Sequence, residues 1–231
     1  MNLTGAQLRR IRKQAGRTQV EAAAKLGVSQ TYLSLLEKGE RPVTLAVTKR
    51  ATRVFGLDPT TIPWGKDVMK LRSTTNEKLF LDLAALHYPG FSYMKPGRPK
   101  SPVEVLAGAL STDSLEPRLV EALPWVVLKY SDLDWNVLIL TAKVRDFQNR
   151  LGFVVNVARR VAEMAGDQKT AALLQRKEST LDGSRLVRED TLCNNSMTEP
   201  EKRWLRESAP SEAKHWRLLT DLSPNLVRND Y

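Results

Sequence analysis

The chain predicts an all-α protein in two helical parts, and three observations carry that expectation. Apolar residues recur at three- and four-residue intervals along most of the sequence. Ser, Thr or Asp precedes many of these runs and Gly ends several, as helix caps require. No β-rich region and no internal repeat interrupts the pattern. The organisation read from it is a five-helix domain over residues 1–66 and a connecting helix with a Pro/Gly basic linker over 67–102. An α-helical domain for dimerisation or partner binding follows over 103–220, then a flexible tail over 221–231.

The first helix is expected over Leu8–Gly16, LRRIRKQAG, with Leu8 and Ile11 apolar and Gly16 ending it. Thr18 stands where an N-cap belongs, and Ala22, Ala23 and Leu26 stripe the second helix. Gly27 supplies a left-handed or tightly packed turn. Ser29 is the next N-cap. Behind it Leu33 and Leu36 face inward, Gln30, Thr31 and Ser34 face outward, and Gly39 closes the helix. An exposed face of amide and hydroxyl groups suits base-edge reading, because an amide pairs bidentate with adenine and a hydroxyl with any base. Leu45, Val47 or Thr48, Ala51, Val54 and Phe55 predict a fourth helix stopped by Gly56, and a short fifth turn falls near Pro59–Trp64.

Residues 3–63, so arranged, resemble the Cro/repressor type of helix-turn-helix, the XRE family. The likeness rests on the LRRIRKQAG flank, on Thr18 and Gln19 opening the second helix, and on Glu37, Gly39, Arg41 and a Pro42 shifted by one. It implies a five-helix, lambda-repressor-like DNA-binding domain. By the same resemblance Gln30, Thr31, Ser34 and Leu35 lie at base edges of double-stranded DNA. Gln19, Ser29, Lys38 and Arg41 would lie at phosphates, and Arg12 with Glu37 would form a structural ion pair. Relatives often carry a long polar side chain where Leu35 stands; leucine there touches a thymine methyl or packs. The implied function is a transcriptional regulator, a repressor binding a palindromic operator as a homodimer. The alternative is an antitoxin whose C-terminal helices neutralise a toxin while the head autoregulates the operon.

Charge points the same way. Residues 1–70 hold 13 Lys/Arg against 5 Asp/Glu, whereas the remaining 161 hold 23 against 21, within a total of +10. Basicity gathered at one end is the footprint of a phosphate-contacting module. Of Arg9, Arg10, Lys13, Arg17, Lys49, Arg50 and Arg53, about half are expected simply to solvate a helix face.

Beyond the head, Thr74 and Glu77 read as a capping box for a helix carrying Leu79, Leu83 and Leu86. Residues 87–102 hold four prolines and two glycines and are expected to be extended or turn-forming. Within them Lys95 to Lys100 has a Gly-Arg-Pro core that looks like an AT-hook, which would put Arg98 in a minor groove; the other reading is a plain basic linker. Val103, Leu106 and Ala107 begin one helix, and Leu115-Glu116-Pro117 starts another with Leu119, Val120 and Leu123. Asp132 or Asp134 caps a long helix from Trp135 to Ala165, roughly 45 Å unless it kinks near Gly152, with Gly166 as its stop. Its stripe serves as core or as a dimer contact, with Trp125, Trp135 and Phe153 as candidate anchors. A mostly polar helix over Glu163–Arg188 and a pair around Trp204 and Trp216, opened by a Thr198/Glu201 capping box, complete the reading.

Composition excludes several classes. The hydrophobic fraction of 42% and charged fraction of 27% are those of a globular protein, and no apolar run reaches the length of a membrane span. The N-terminus lacks a signal-peptide core, so the expected compartment is the cytoplasm. One cysteine, Cys193, lies in a polar stretch away from any His, so neither a disulfide nor a thiolate metal site is expected. His87 and His215 read as a helix-end residue and a neighbour of Trp216. No catalytic motif, phosphate loop or metal set is present, so neither enzymatic activity nor a cofactor is expected. A small-molecule ligand for the C-terminal domain remains an alternative to a protein partner.

Overall fold

The computed structural model describes residues 3–57, 74–97 and 100–227. Its contacts separate two units: Met1–Val68 form the bulk of one, and Met69–Arg98 with Pro102–Tyr231 form the other. Among the described residues the structure is helical apart from two two-residue strands. The turn expected near Pro59–Trp64, and Arg98 of the AT-hook-like segment, lie outside the described residues.

The first unit is built from α1 (Gly5–Gln14), α2 (Gln19–Leu26), α3 (Gln30–Lys38) and α4 (Leu45–Phe55). Capping boxes open α1 at Thr4/Gln7 and α2 at Thr18/Glu21, so α1 begins three residues before the expected Leu8. Leu8, Leu26, Leu33, Leu36 and Ala51 are fully buried, and Ile11, Tyr32 and Phe55 pack around them. Such a small core stays tight because α1 meets α3 through glycine. A Cβ at Gly5 would sit 1.9 Å from the Leu36 carbonyl oxygen.

The second unit comprises α5 (Asn76–Ala85), α6 (Pro102–Leu110), α7 (Pro117–Lys129), α8 (Trp135–Val144), α9 (Gln148–Met164), α10 (Gln168–Asp182), α11 (Glu199–Ser208) and α12 (Ser211–His215). Strands β1 (Asp190–Thr191) and β2 (Leu218–Leu219) pair in parallel. Helix α9 is central, buried along most of its length between α7 and α10. Its Arg150 is buried and uses four of its five N–H donors: Nε and Nη2 donate to Asp190 at 2.8 and 2.9 Å, and Nη1 to the carbonyls of Leu110 and Thr112 at 3.1 Å. Such a buried cation is tolerated because a carboxylate and two carbonyls face it.

The structure departs from the sequence pattern at several points. The connecting segment 67–102 is not a separate linker as far as it is described: α5 buries Leu79 and Leu83 against α6 and α7, and the Tyr130 hydroxyl donates to the Leu86 carbonyl at 2.8 Å. Its cap is Thr75, which accepts from the Lys78 N–H, rather than Thr74. Pro89–Phe91 forms a 3₁₀ turn whose Phe91 packs edge-on against Phe80 and Tyr88. The long helix from Trp135 breaks at Arg145-Asp146-Phe147, where Asp146 turns left-handed (φ 59°) and the Phe147 N–H returns to the Ala142 carbonyl. An aspartate tolerates that conformation better than most residues.

Trp125, Trp135 and Phe153, the candidate dimer anchors, are buried inside the unit and form its own core. Residues 221–227, expected to fray, bury Leu222 and Val227 and contact α9. Trp216 is fully buried, whereas Trp204 is exposed.

Candidate nucleic-acid interface

Helices α2 and α3 are joined by Gly27, whose φ of 62° and ψ of 41° place it in the left-handed region where a side chain would be strained. The Gly27 and Val28 N–H groups return to the carbonyls of Ala24 and Ala23. Arg50 from α4 then covers the end of α2, its Nη1 donating to the carbonyls of Leu26 at 2.7 Å and Gly27 at 3.3 Å. Nothing in the local sequence distinguishes this arginine from the basic residues around it. Its role follows only from the packing of α4 on α2.

Ser29 caps α3 by accepting from the Tyr32 N–H at 3.1 Å, which leaves its hydroxyl hydrogen free to donate. On α3 Gln30 and Thr31 are exposed, while Ser34 and Leu35 are half-buried. The four side chains lie on the side opposite Leu33 and Leu36, which are fully buried. Lys38 is exposed at the end of the helix, with Nζ 3.9 Å from Glu40, and Arg41 is exposed in the loop beyond it. Gly39, at φ 79°, provides the turn between the two.

One network ties the frame together. Arg12 Nε and Nη2 donate to the two oxygens of Glu37 at 2.6 and 3.0 Å, and Arg12 Nη1 donates to the Arg17 carbonyl at 2.8 Å. Gln19 Nε2 donates to the same Glu37 carboxylate at 2.9 Å, so its amide holds α2 against α3 and keeps one N–H for another acceptor. Burial pushes the Glu37 carboxyl up. Hydrogen bonds from Arg12 and Gln19 and the Arg12 charge outweigh that effect and hold the group below its ordinary value. Glu37 is therefore an anion at neutral pH. Three helices are locked by one buried carboxylate.

Residues 4–64 match the family described as a helix-turn-helix domain. Residues of the chain are 38% identical over 55 positions to the uncharacterized HTH-type transcriptional regulator y4dJ of Sinorhizobium fredii, covering 24% of this chain and 71% of that protein. The chain belongs to the helix-turn-helix family of transcriptional regulators. Its other relatives are much longer. The HTH-type transcriptional regulator RamB of Mycobacterium tuberculosis is 37% identical over 83 residues, 35% of this chain and 17% of that protein. A propionyl-CoA carboxylase regulator of Cereibacter sphaeroides is 34% identical over 93 residues, 40% of this chain and 18% of that protein. The chain thus spans less than a fifth of these two relatives. No solved structure matches it.

The features that define this helix-turn-helix lie within the family match: two capped helices, a left-handed glycine between them and a buried acid at the end of the second. Among the described residues no His, Cys, Asp or Glu cluster forms a metal site, and no helix is long and apolar enough to cross a membrane.

Proposed function

We propose that this chain is a sequence-specific DNA-binding transcriptional regulator, a repressor that binds a palindromic operator as a dimer. The observation that carries the reading is the outward amide and hydroxyl edge of α3, held on a frame capped at both ends and tied to α1 and α2 through Glu37. Gln30, Thr31, Ser34 and Leu35 read base edges in the major groove, Gln30 through its two-pronged amide and Leu35 through contact with a thymine methyl. Ser29, Lys38, Arg41 and the remaining Gln19 N–H set the register on phosphates without selecting sequence. Two copies on half-sites one helical turn apart give the affinity a single short helix lacks. The +8 balance of residues 1–70 favours this end of the chain as the DNA-binding one.

Selection of bound DNA from a random pool with the full chain tests it. The expected result is a palindromic consensus with affinity that falls steeply with salt. Gln30→Ala should weaken binding by about 1–3 kcal/mol and relax one base position, whereas Arg41→Ala should weaken all sequences alike and flatten the salt slope. No enrichment from the pool would overturn the reading.

A further inference from the structure

Helix α1 forms one wall of an open groove of about 650 Å³ lined by Ala6, Arg9, Arg10, Lys13, Gln14 and, from the end of α3, Glu37. Three of these six residues are cations, and one is an acid. That acid is already committed, its carboxylate held by Arg12 and Gln19. Arg9, Arg10 and Lys13 are exposed, and among the described residues none of the three makes a hydrogen bond or ion pair. Arg9 and Lys13 are four residues apart, so like charges share one helix face. The fold bears that repulsion, offset in part by the attraction of the Arg9 charge to the Glu37 carboxylate. Arg12 and Arg50 are committed to holding helices in place and Lys38 lies near Glu40, whereas Arg17, Lys25, Arg41, Lys49 and Arg53 are as unpaired among the described residues as the α1 cations. What sets Arg9, Arg10 and Lys13 apart is that they line one groove together.

We infer that this α1 groove is a second phosphate-binding surface, which grips the DNA backbone beside the segment read by α3. The inference rests on the DNA-binding reading above and adds a contact that the helix-turn-helix itself does not supply. Chemistry and position both favour a polyphosphate backbone. Two guanidiniums, an ammonium and the Gln14 amide are all capable of donating to anionic oxygens, and the short Ala6 side chain leaves room between them. The groove also reaches Glu37, the residue before Lys38 and the acceptor of the Gln19 amide, so it lies in the same helical frame as the phosphate-contacting positions proposed there. Contacts of this kind carry no sequence information but govern affinity and its dependence on salt.

The test compares the full chain with Arg9→Gln/Lys13→Gln on the selected operator, measuring affinity across salt concentrations. Losing two phosphate contacts per protomer, four across the proposed dimer, should reduce the slope of log K against log salt by about 3.6, so that between 50 and 200 mM salt the variant loses about 150-fold less affinity than the parent. The selected consensus should not change. The charge-preserving Arg9→Lys/Lys13→Arg variant should restore the slope. If the glutamine variant misfolds, Ala6→Glu serves instead: an acid in the first turn suits the helix and opposes a phosphate in the groove, so binding should weaken with the fold intact. A parent that binds its operator with a slope unaltered in the glutamine variant, or unaltered binding by Ala6→Glu, overturns the groove and leaves the recognition helix standing. A parent that binds no DNA overturns both.

Discussion

The indole of Trp216 lies directly on the backbone of Gly152, so close that a Cβ at position 152 would stand 2.2 Å from the ring atom Cζ3. Trp216 is fully buried, and the turn that delivers it places Arg217 in the left-handed region at φ 57°. A glycine in the second turn of the central helix is therefore a seat for a ring from the C-terminal segment. The helix runs through it unbroken.

That seat gives a measurable coupling. Gly152→Ala should destabilise the second unit by about 1–3 kcal/mol through overpacking, and Trp216→Ala by about 3–5 kcal/mol through cavity formation. The double variant should lose less than the sum, because the alanine no longer meets a ring. Urea unfolding followed by circular dichroism measures all three. Strict additivity would show that the two positions do not bear on each other.

The buried Glu37 makes a second prediction. Its lowered pKa means that it stabilises the fold above the ordinary carboxylate range, near pH 4.3, and that this stabilisation is lost as the pH falls through its lower folded value. Glu37→Gln should reduce stability at neutral pH by about 3 kcal/mol and shrink the acid-induced loss between the two values. Hydrogen exchange of the α1–α3 amides measured against pH reads both effects in the unit concerned. An unchanged acid limb would remove Glu37 from the account.

Much of this first unit was legible in the sequence, because its signals are local. Thr18, Gly27, Ser29 and Gly39 cap and turn the chain through their own backbone preferences, and the stripe of Leu26, Leu33 and Leu36 follows from helical period alone. The surrounding placements depend on residues distant in sequence. Asp146 is of a type that tolerates a left-handed turn, but the apolar stripe continues on both sides of it, so helical period alone does not show the break. Arg50 looks like any surface cation until α4 packs on α2. The stretch around Cys193 is polar, yet the thiol is fully buried behind α6, with Sγ 3.6 Å from the Ala109 carbonyl. The α1 groove was visible only as a count of positive charge. Which of its cations are free emerges from the pairing of Arg12 with Glu37.

Arg50 separates structural from DNA-contacting cations. Arg50→Ala removes the guanidinium that holds the Leu26 and Gly27 carbonyls, at a cost of about 1 kcal/mol given its exposure. DNA affinity should fall through the loosened turn, with the salt slope retained. Lys38→Ala should do the opposite, flattening the slope with stability intact. Thermal unfolding and binding at several salt concentrations distinguish the two. A flattened slope in Arg50→Ala would move that residue to the phosphate-contacting set.

Cys193 supplies a probe of the second unit. Burial pushes its thiol up to about 12, against the opposing pull of the nearby Arg150 charge. At pH 8 the thiolate fraction is therefore very small, and the sulfur is also covered by its neighbours. The folded chain should resist a thiol reagent such as DTNB at pH 8, while the chain in urea should react at one thiol per molecule, since the sequence holds one cysteine. Trp216→Ala should speed the reaction of the native protein, because loosening the packing on α9 raises the population of open forms that expose the sulfur. Prompt labelling of the native parent would show that the segment around Cys193 opens readily. In that case the Arg150–Asp190 pair, whose charges both act on the Cys193 thiol, would not be holding β1 in place.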